Sequence, residues 1–495
     1  MSNQPQYDSY RYTGEICRLQ SQSMVECRLP GSEIGSILAV QATATPTECA
    51  CMDGEVRYGG KLLLCVLYED AGGKVCRVER GAEFFHKADG EKVNPACFAK
   101  VAFNVDKVTH RREGSGLYLS AVISATSNVY GGLQIEHLIG GENLALDVKE
   151  IAVCKTVCVS GETEGEDEFD ADYVGDILLH GERALVTRVN AGAGQLDIEG
   201  EIALNVCVLK GENDVCSYER ILPFSMQIPC EEAFGQVKAC ARAIVKDVQL
   251  TAGVDEEKGK SKIVFSYGIG VDCFLFAQET LSVAQDAFST TRESNCHVRK
   301  DGGRYLINTL KFTERVSGIA ALSQDFGGEY ALEAAVLPRA ELVCKKTENG
   351  VEAEGVVAAE VLLRAPDGGR KSCALALPVL FPLDVKGEIV EADCVVCGLT
   401  MRRKKDGETE TEATLKISLR VYEERTWTYV DEIVEGEAYA KNDAALSVFV
   451  PREGENLWQV AKRLRCGVEE LQKSNPNLQF PVKAGERIFV YRQIK

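Results

Sequence analysis

The stretch GKLLLCVLYEDAGGKVCRVERGAEFF, from Gly60, has a counterpart 140 residues on: GEIALNVCVLKGENDVCSYERILPFS, from Gly200. Without a gap, Gly60 meets Gly200, Val75 meets Val215 and Cys76 meets Cys216, while Glu79-Arg80 meets Glu219-Arg220 and Phe84 meets Phe224. A third stretch, GVVAAEVLLRAPDGGRKSCALALPVLF from Gly355, puts Cys373 and Phe381 in the places of Cys216 and Phe224, with two residues added at the turn (355 − 200 = 155; 373 − 216 = 157). In each copy the Phe follows the Cys by eight residues, an even separation that puts both on one face of a continuous strand. Three such copies make a tandem array of one domain type, which frames every later assignment.

Each copy reads locally as a β-hairpin. A strand rich in Val, Ile, Leu and Cys meets a turn at Asp70–Gly73, Lys210–Asp214 or Pro366–Gly369, made of residues that tolerate positive φ, and a second strand follows. Further alternating segments come after each hairpin: LYLSAVISATSNVY (117–130), KIVFSYGIGVDCFLF (262–276) and EATLKISLRVYEE (412–424). Short spacing and repeated turn signals point to a sandwich or barrel rather than to βαβ units. The expected fold is therefore mainly β, three tandem repeats followed by a small βααβ domain. The expected organisation is an N-terminal arm (1–35), repeats at 36–160, 174–298 and 300–444, and a terminal domain at 446–495. The acidic stretch GETEGEDEFDADY (161–173) reads as a solvated linker. It lacks the ligand spacing of a calcium loop.

Composition narrows the function classes. A net charge of −19 argues against a nucleic-acid footprint, which needs a clustered basic surface. No run of about 18 apolar residues is present to predict a transmembrane helix. The N-terminus lacks the basic-then-apolar pattern of a secretory signal, so a cytoplasmic location is expected. Twenty cysteines are scattered, many inside apolar runs such as LLLCVLY around Cys65, and read as reduced, buried thiols. Cys49/Cys51 and Cys394/Cys397 have no matching second pair at zinc spacing, so no metal and no cofactor is expected. No nucleophile elbow, P-loop or HExxH motif occurs, and His86, His110, His137, His180 and His297 stand apart. The expectation is a protein that is not an enzyme.

From Ser447 the pattern changes. SVFV is a short strand, Asn456 can cap a helix LWQVAKRLR, VEELQKSN gives a second helix stopped by Pro476, and RIFVY returns as a strand. Gly454-Glu455-Asn456-Leu457-Trp458, Val460-Ala461, Leu471, Asn475-Pro476 and Ala484-Gly485, followed by Ile488 and Val490, resemble the motif of the LysM family. The resemblance covers about a tenth of the chain and departs from the family's Asp-Thr pair, which is Glu455-Asn456 here. It implies a βααβ fold whose two loops bind N-acetylglucosamine-containing glycan or a partner: Gly454, Glu455, Asn456 and Leu457 on one, Asn475, Pro476, Asn477 and Leu478 on the other.

Three β repeats followed by such a module resemble the SPOCS-domain proteins of spore-forming Firmicutes. Asp286-Ala-Phe-Ser289 is similar to that family's Asp-Ala-Tyr-Ser. The resemblance implies a structural adaptor on the mother-cell side of the forespore surface, with the LysM-like domain docking a spore coat morphogenetic ATPase. The alternative is a cell-wall protein that binds peptidoglycan, and oligomeric state stays open.

Overall fold

The computed structural model describes residues 4–30, 34–114, 116–171, 174–211, 213–234, 237–255, 260–324, 329–348, 350–387, 389–404, 408–440, 446–483 and 485–491. The chain is mainly β, and one succession of strands occurs three times. In the first unit, β1 (Gln6–Pro30) is followed by the meander β2 (Ser36–Met52), β3 (Glu55–Glu69), β4 (Val75–Asp89). The hairpin β5 (Phe98–Glu113), β6 (Gly116–Gly140) follows, and β6 pairs back to β1. The second unit runs β7 (Leu144–Ala171), β8 (Val174–Gly192), β9 (Gln195–Lys210), β10 (Asp214–Pro229), β11 (Lys238–Asp255) and β12 (Lys260–Ser289). The third runs β13 (Arg292–Leu322), β14 (Ala331–Thr347), β15 (Gly350–Arg364), β16 (Arg370–Leu383), β17 (Ile389–Arg403) and β18 (Thr409–Ala438). Here β16 also bonds the end of β13 at Ala321 and Leu322.

Alternation explains how each unit closes. Leu117, Leu119, Ala121, Ile123 and Ala125 of β6 are buried at every second position and face Val56, Leu62, Leu64 and Phe84 of the meander in one apolar core. Ile263, Phe265, Ile269 and Val271 do the same in the second unit, and Leu415, Ile417 and Leu419 in the third. The three repeat phenylalanines, Phe84, Phe224 and Phe381, are all buried. Each contributes about 2–3 kcal/mol by leaving water. Gly60 lies opposite Phe84 and Gly200 opposite Phe224 in the ladders, and a Cβ at Gly200 would meet the Phe224 ring at 2.2 Å. The glycine that recurs in the sequence thus makes room for the phenylalanine that recurs with it. The third copy does this differently: Phe381 faces Ala353, two residues before Gly355.

Several expected boundaries differ. The supposed arm contains β1, which pairs with β6 from Gln6 opposite Gly140 to Pro30 opposite Gly116. Residues 161–171 of the supposed linker are the second half of β7, paired with β12 from Gly161 opposite Val271 to Ala171 opposite Ser261. Five of their six acidic residues, Glu162, Glu164, Glu166, Glu168 and Asp170, occupy outward, solvated positions, while Asp167 on the inner side accepts from the Tyr267 hydroxyl at 3.0 Å. Residues 141–160, placed at the end of the first repeat, belong with the second, and the third unit starts at Arg292 rather than 300. Residues 172–173 and 441–445 lie outside the described residues.

The three units pack against one another through equivalent strands. Ladder partners show the equivalence: Asn128, Phe274 and Arg420 lie opposite Lys100, Cys240 and Glu391, and are spaced by 146 residues (274 − 128 and 420 − 274). At one level Leu38, Leu67, Leu179, Leu209, Val336 and Leu362 form a shared apolar cluster. At another, Tyr12, Ile135, Ile151, Val283, Trp427 and Tyr429 pack together from the long ribbons.

Two polar junctions lie in these contacts. The Arg370 side chain, wholly buried, donates to Glu333 at 2.8 and 2.9 Å, to Glu69 at 3.2 Å and to the Asn213 carbonyl, and so touches all three units. The Glu391 carboxylate receives Arg18 at 2.5 Å, Arg242 and Arg304 at 3.1 Å, and has Arg420 at 3.5 Å.

Candidate functional site

Beyond the units, β19 (Leu446–Phe449) and β20 (Ile488–Tyr491) pair antiparallel and enclose α1 (Leu457–Leu464) and α2 (Val468–Ser474). Apolar residues at helical spacing place Val460 and Ala461 against Leu471, Val482, Ile488 and Val490, all buried. The expected βααβ order is thus present in this segment.

The first loop is held by its own polar groups. Asn456 Oδ1 accepts from the Gln459 N–H at 2.8 Å while Gln459 Oε1 accepts from the Asn456 N–H at 3.0 Å, a capping box. Such a cap contributes about 1 kcal/mol. Glu455 accepts from the Arg452 N–H at 2.8 Å and from Arg463, whose guanidinium lies 4.4 Å over the Phe449 ring. Gly454 turns the chain at φ +86, a conformation side chains resist, and its N–H donates to the Val482 carbonyl at 2.9 Å. Val482 answers by donating to Glu455 O at 3.0 Å, which joins the two loops.

The second loop is equally occupied. Asn475 donates to Leu471 O at 2.9 Å and to Phe489 O at 2.7 Å, and accepts from Phe489 N–H at 2.8 Å, tying the end of α2 to β20. Leu457 and Leu478 are half-buried against the module core. Pro476 and Asn477 stand exposed at the tip. Of the eight loop residues, then, Glu455, Asn456 and Asn475 have their side chains committed to the module itself. Ala484 lies outside the described residues.

One face of α1 is covered. Trp458 Nε1 donates to Asp286 Oδ2 at 2.9 Å, Lys462 Nζ reaches both Asp286 oxygens at 2.7 Å, and the Trp458 ring packs on Phe288 with centroids 5.1 Å apart. Arg465 lies 3.4 Å over Tyr439. The Asp286–Ser289 segment singled out in the sequence is therefore where the module sits on β12. Sequence reasoning held both halves of this contact but could not join them, because 172 residues separate Asp286 from Trp458.

The outward face of the β19–β20 sheet is exposed. Leu446 pairs with Tyr491 and Val448 with Phe489, and these four side chains are 48, 55, 55 and 38% exposed for Leu446, Tyr491, Val448 and Phe489. A contiguous apolar sheet face of this kind marks an interaction surface far more often than an isolated exposed leucine does. Residues 446–495 hold nine Lys and Arg against five Glu, so the module is basic in an acidic chain.

Elsewhere, His180 bonds Glu182 at 2.9 Å and His297 bonds Asp431 at 2.6 Å. All twenty cysteines are unbridged, and burial pushes Cys65 up to about 11 and Cys394 to about 12, away from reactive thiolates. Among the described residues no group of three or more His, Cys, Asp or Glu is placed to hold a metal ion, and no helix is long and apolar enough to cross a membrane. Neither a family model, nor a curated protein, nor a solved structure matches the chain.

Proposed function

We propose that this chain is a non-enzymatic adaptor of spore-envelope assembly: a rigid scaffold of three SPOCS-like repeats that carries a LysM-like module, whose partner is a coat morphogenetic ATPase at the forespore surface. The observation that carries the protein-docking half of this reading is the state of the two loops. Glu455, Asn456 and Asn475 already hold the module's backbone and helix ends, whereas the β19–β20 sheet offers a broad apolar face. Glycan recognition relies on polar groups converging on the ligand, and protein interfaces rely on desolvated apolar and aromatic anchors. Phe489 and Tyr491 are suited to the second role.

The test is calorimetry on the full chain with the coat ATPase of the same genome, and in parallel with chito-oligosaccharides and muropeptides. Tight ATPase binding that weakens at least tenfold in Val448→Ser/Phe489→Ser supports the adaptor. Saturable glycan binding lost in Asn477→Ala, with no response to the ATPase, replaces it by the cell-wall reading. Asn475→Ala is unsuitable for either arm because it removes a structural tie.

A further inference from the structure

Equivalent residues of the three units converge on a cavity of about 20 Å³. Asn128 and Tyr130 of β6, Phe274 and Phe276 of β12, and Arg420 and Tyr422 of β18 line it, each pair 146 residues after the one before (274 − 128 and 420 − 274). Glu15, Arg242, Arg304 and Glu391 add charged groups to the wall. An ordered water takes about 10–15 Å³ of such space, so there is room for one particle of that size or slightly larger. A four-oxygen anion such as phosphate is too big.

The charges around the cavity do not balance. Arg18, Arg242, Arg304 and Arg420 meet Glu391, Glu15 and Asp393, an excess of one cation. Arg18 and Asp393 are the most solvated of the seven, with side chains 35 and 42% exposed. Setting those two aside leaves three cations against two carboxylates. Burial also pushes the Glu15 carboxyl up, which favours its neutral form and widens the imbalance.

Unpaired donors belong to the same wall. Arg420 is almost fully buried, and its Nε and that of Arg304 have no hydrogen-bond acceptor among the described residues. The nearest Glu391 oxygen lies 3.5 Å from Arg420 Nε, and the two do not form a hydrogen bond. A buried donor left in this state costs free energy that a bound acceptor recovers. Asn128 Oδ1 has no donor either, and a half-turn of that amide presents its NH2 group instead.

We propose that this cavity binds one halide ion, chloride or bromide, at the junction of the three units. A water molecule would fill the volume but leave the excess charge uncompensated, whereas a halide fills it and supplies the charge. The ion also ties the units together, because Asn128 comes from the first, Arg242 from the second, and Arg304 and Arg420 from the third.

The test uses the full chain. Crystals grown in sodium bromide and measured at the bromine absorption edge should show an anomalous peak in the cavity beside Arg304 and Arg420. In solution, bromide is exchanged for gluconate, which is too large to enter, at constant ionic strength. Above the dissociation constant, the midpoint of thermal unfolding should rise by about 1 °C for each tenfold increase in bromide. Asn128→Asp supplies the missing charge from the wall and should abolish that rise. Asn190→Asp, the same change at an exposed position beside Arg188, should keep it. A cavity without an anomalous peak, a midpoint indifferent to bromide, or an equal rise in Asn128→Asp overturns the proposal.

Discussion

Arg370 and Glu391 each sit where the three units meet, but one junction is balanced and the other is crowded with cations. Around Arg370, every guanidinium nitrogen has an acceptor: two oxygens of Glu333, one of Glu69 and the Asn213 carbonyl. Asn213 in turn accepts from Val75 N–H and donates to Gly73 O, so the second unit is stitched to the first. Around Glu391, four arginines face three carboxylates, those of Glu391, Glu15 and Asp393, and the Nε groups of Arg304 and Arg420 have no hydrogen-bond acceptor, as has Asn128 Oδ1 no donor.

The electrostatics record the same contrast. Burial pushes the Glu391 carboxyl up, but Arg242, Arg420, Arg304 and Arg18 together outweigh it and hold it at about 2. For Glu15 burial wins over Arg304, and the neighbouring Glu391 adds to the rise. A buried charge is tolerated where its geometry is complete, and an incomplete junction leaves some groups stabilised and others strained. The two junctions between the same units thus differ in how fully their buried groups are paired.

Substituting Arg370 should give the largest effect. Arg370→Met leaves Glu333 buried without its cation and should cost about 3–5 kcal/mol, read from the midpoint of urea unfolding. Glu391→Gln should cost less, about 2–3 kcal/mol at pH 7, because Arg18 is partly solvated and Asp393 still holds Arg420. If Glu391→Gln proves the more damaging, the contrast between balanced and crowded junctions is wrong.

pH sharpens it further. The folded Glu391 carboxyl lies below its unfolded value of about 4.3. Its contribution is therefore present above that value and lost as pH falls toward 2. The gap between wild type and Glu391→Gln should close over that interval in acid unfolding curves. Glu15 has the opposite sign: its folded value is raised, so its contribution is present at low pH and lost as pH rises through that value. Glu15→Gln should therefore raise the melting temperature slightly at pH 7 and not at pH 3. The smallest effect belongs to a solvated pair used as reference: Lys462→Ala, facing Asp286, should change global stability by no more than about 0.5–1 kcal/mol.

Much of this architecture is legible in the order of residues. The recurrent Gly, Cys and Phe announce three similar hairpins, and the helical spacing of Leu457, Val460, Ala461 and Leu464 announces α1. Residues 161–171 show where reading by composition fails. The seven carboxylates of 161–173 suggested a solvated linker, yet within 161–171 Gly161, Thr163, Gly165, Asp167, Phe169 and Ala171 alternate with Glu162, Glu164, Glu166, Glu168 and Asp170, and the first set turns inward, with Asp167 on the Tyr267 hydroxyl. The period was present and the charge masked it. β1 was missed for a related reason, since its partner β6 begins 86 residues after β1 ends and an edge strand with one wet face has few apolar residues to announce it.

The candidate loops divide in the same way. Asn456 as a helix cap follows from its position before an apolar-periodic run, a local property. Asn475 as a tie to Phe489 does not, because the bond spans 14 residues and depends on where β20 returns.

By itself, then, the sequence determined what local periodicity can encode: strands that alternate, turns of Gly, Asp and Asn, a capped helix, and three copies of one plan. Only the tertiary structure decided which strands close each sheet, that Asp286 meets Trp458, and that Arg370 and Glu391 gather polar partners from all three units. Those contacts join residues far apart in the chain, and no local pattern carries them. Their energy comes from burying charges together, which exists only once the units have met.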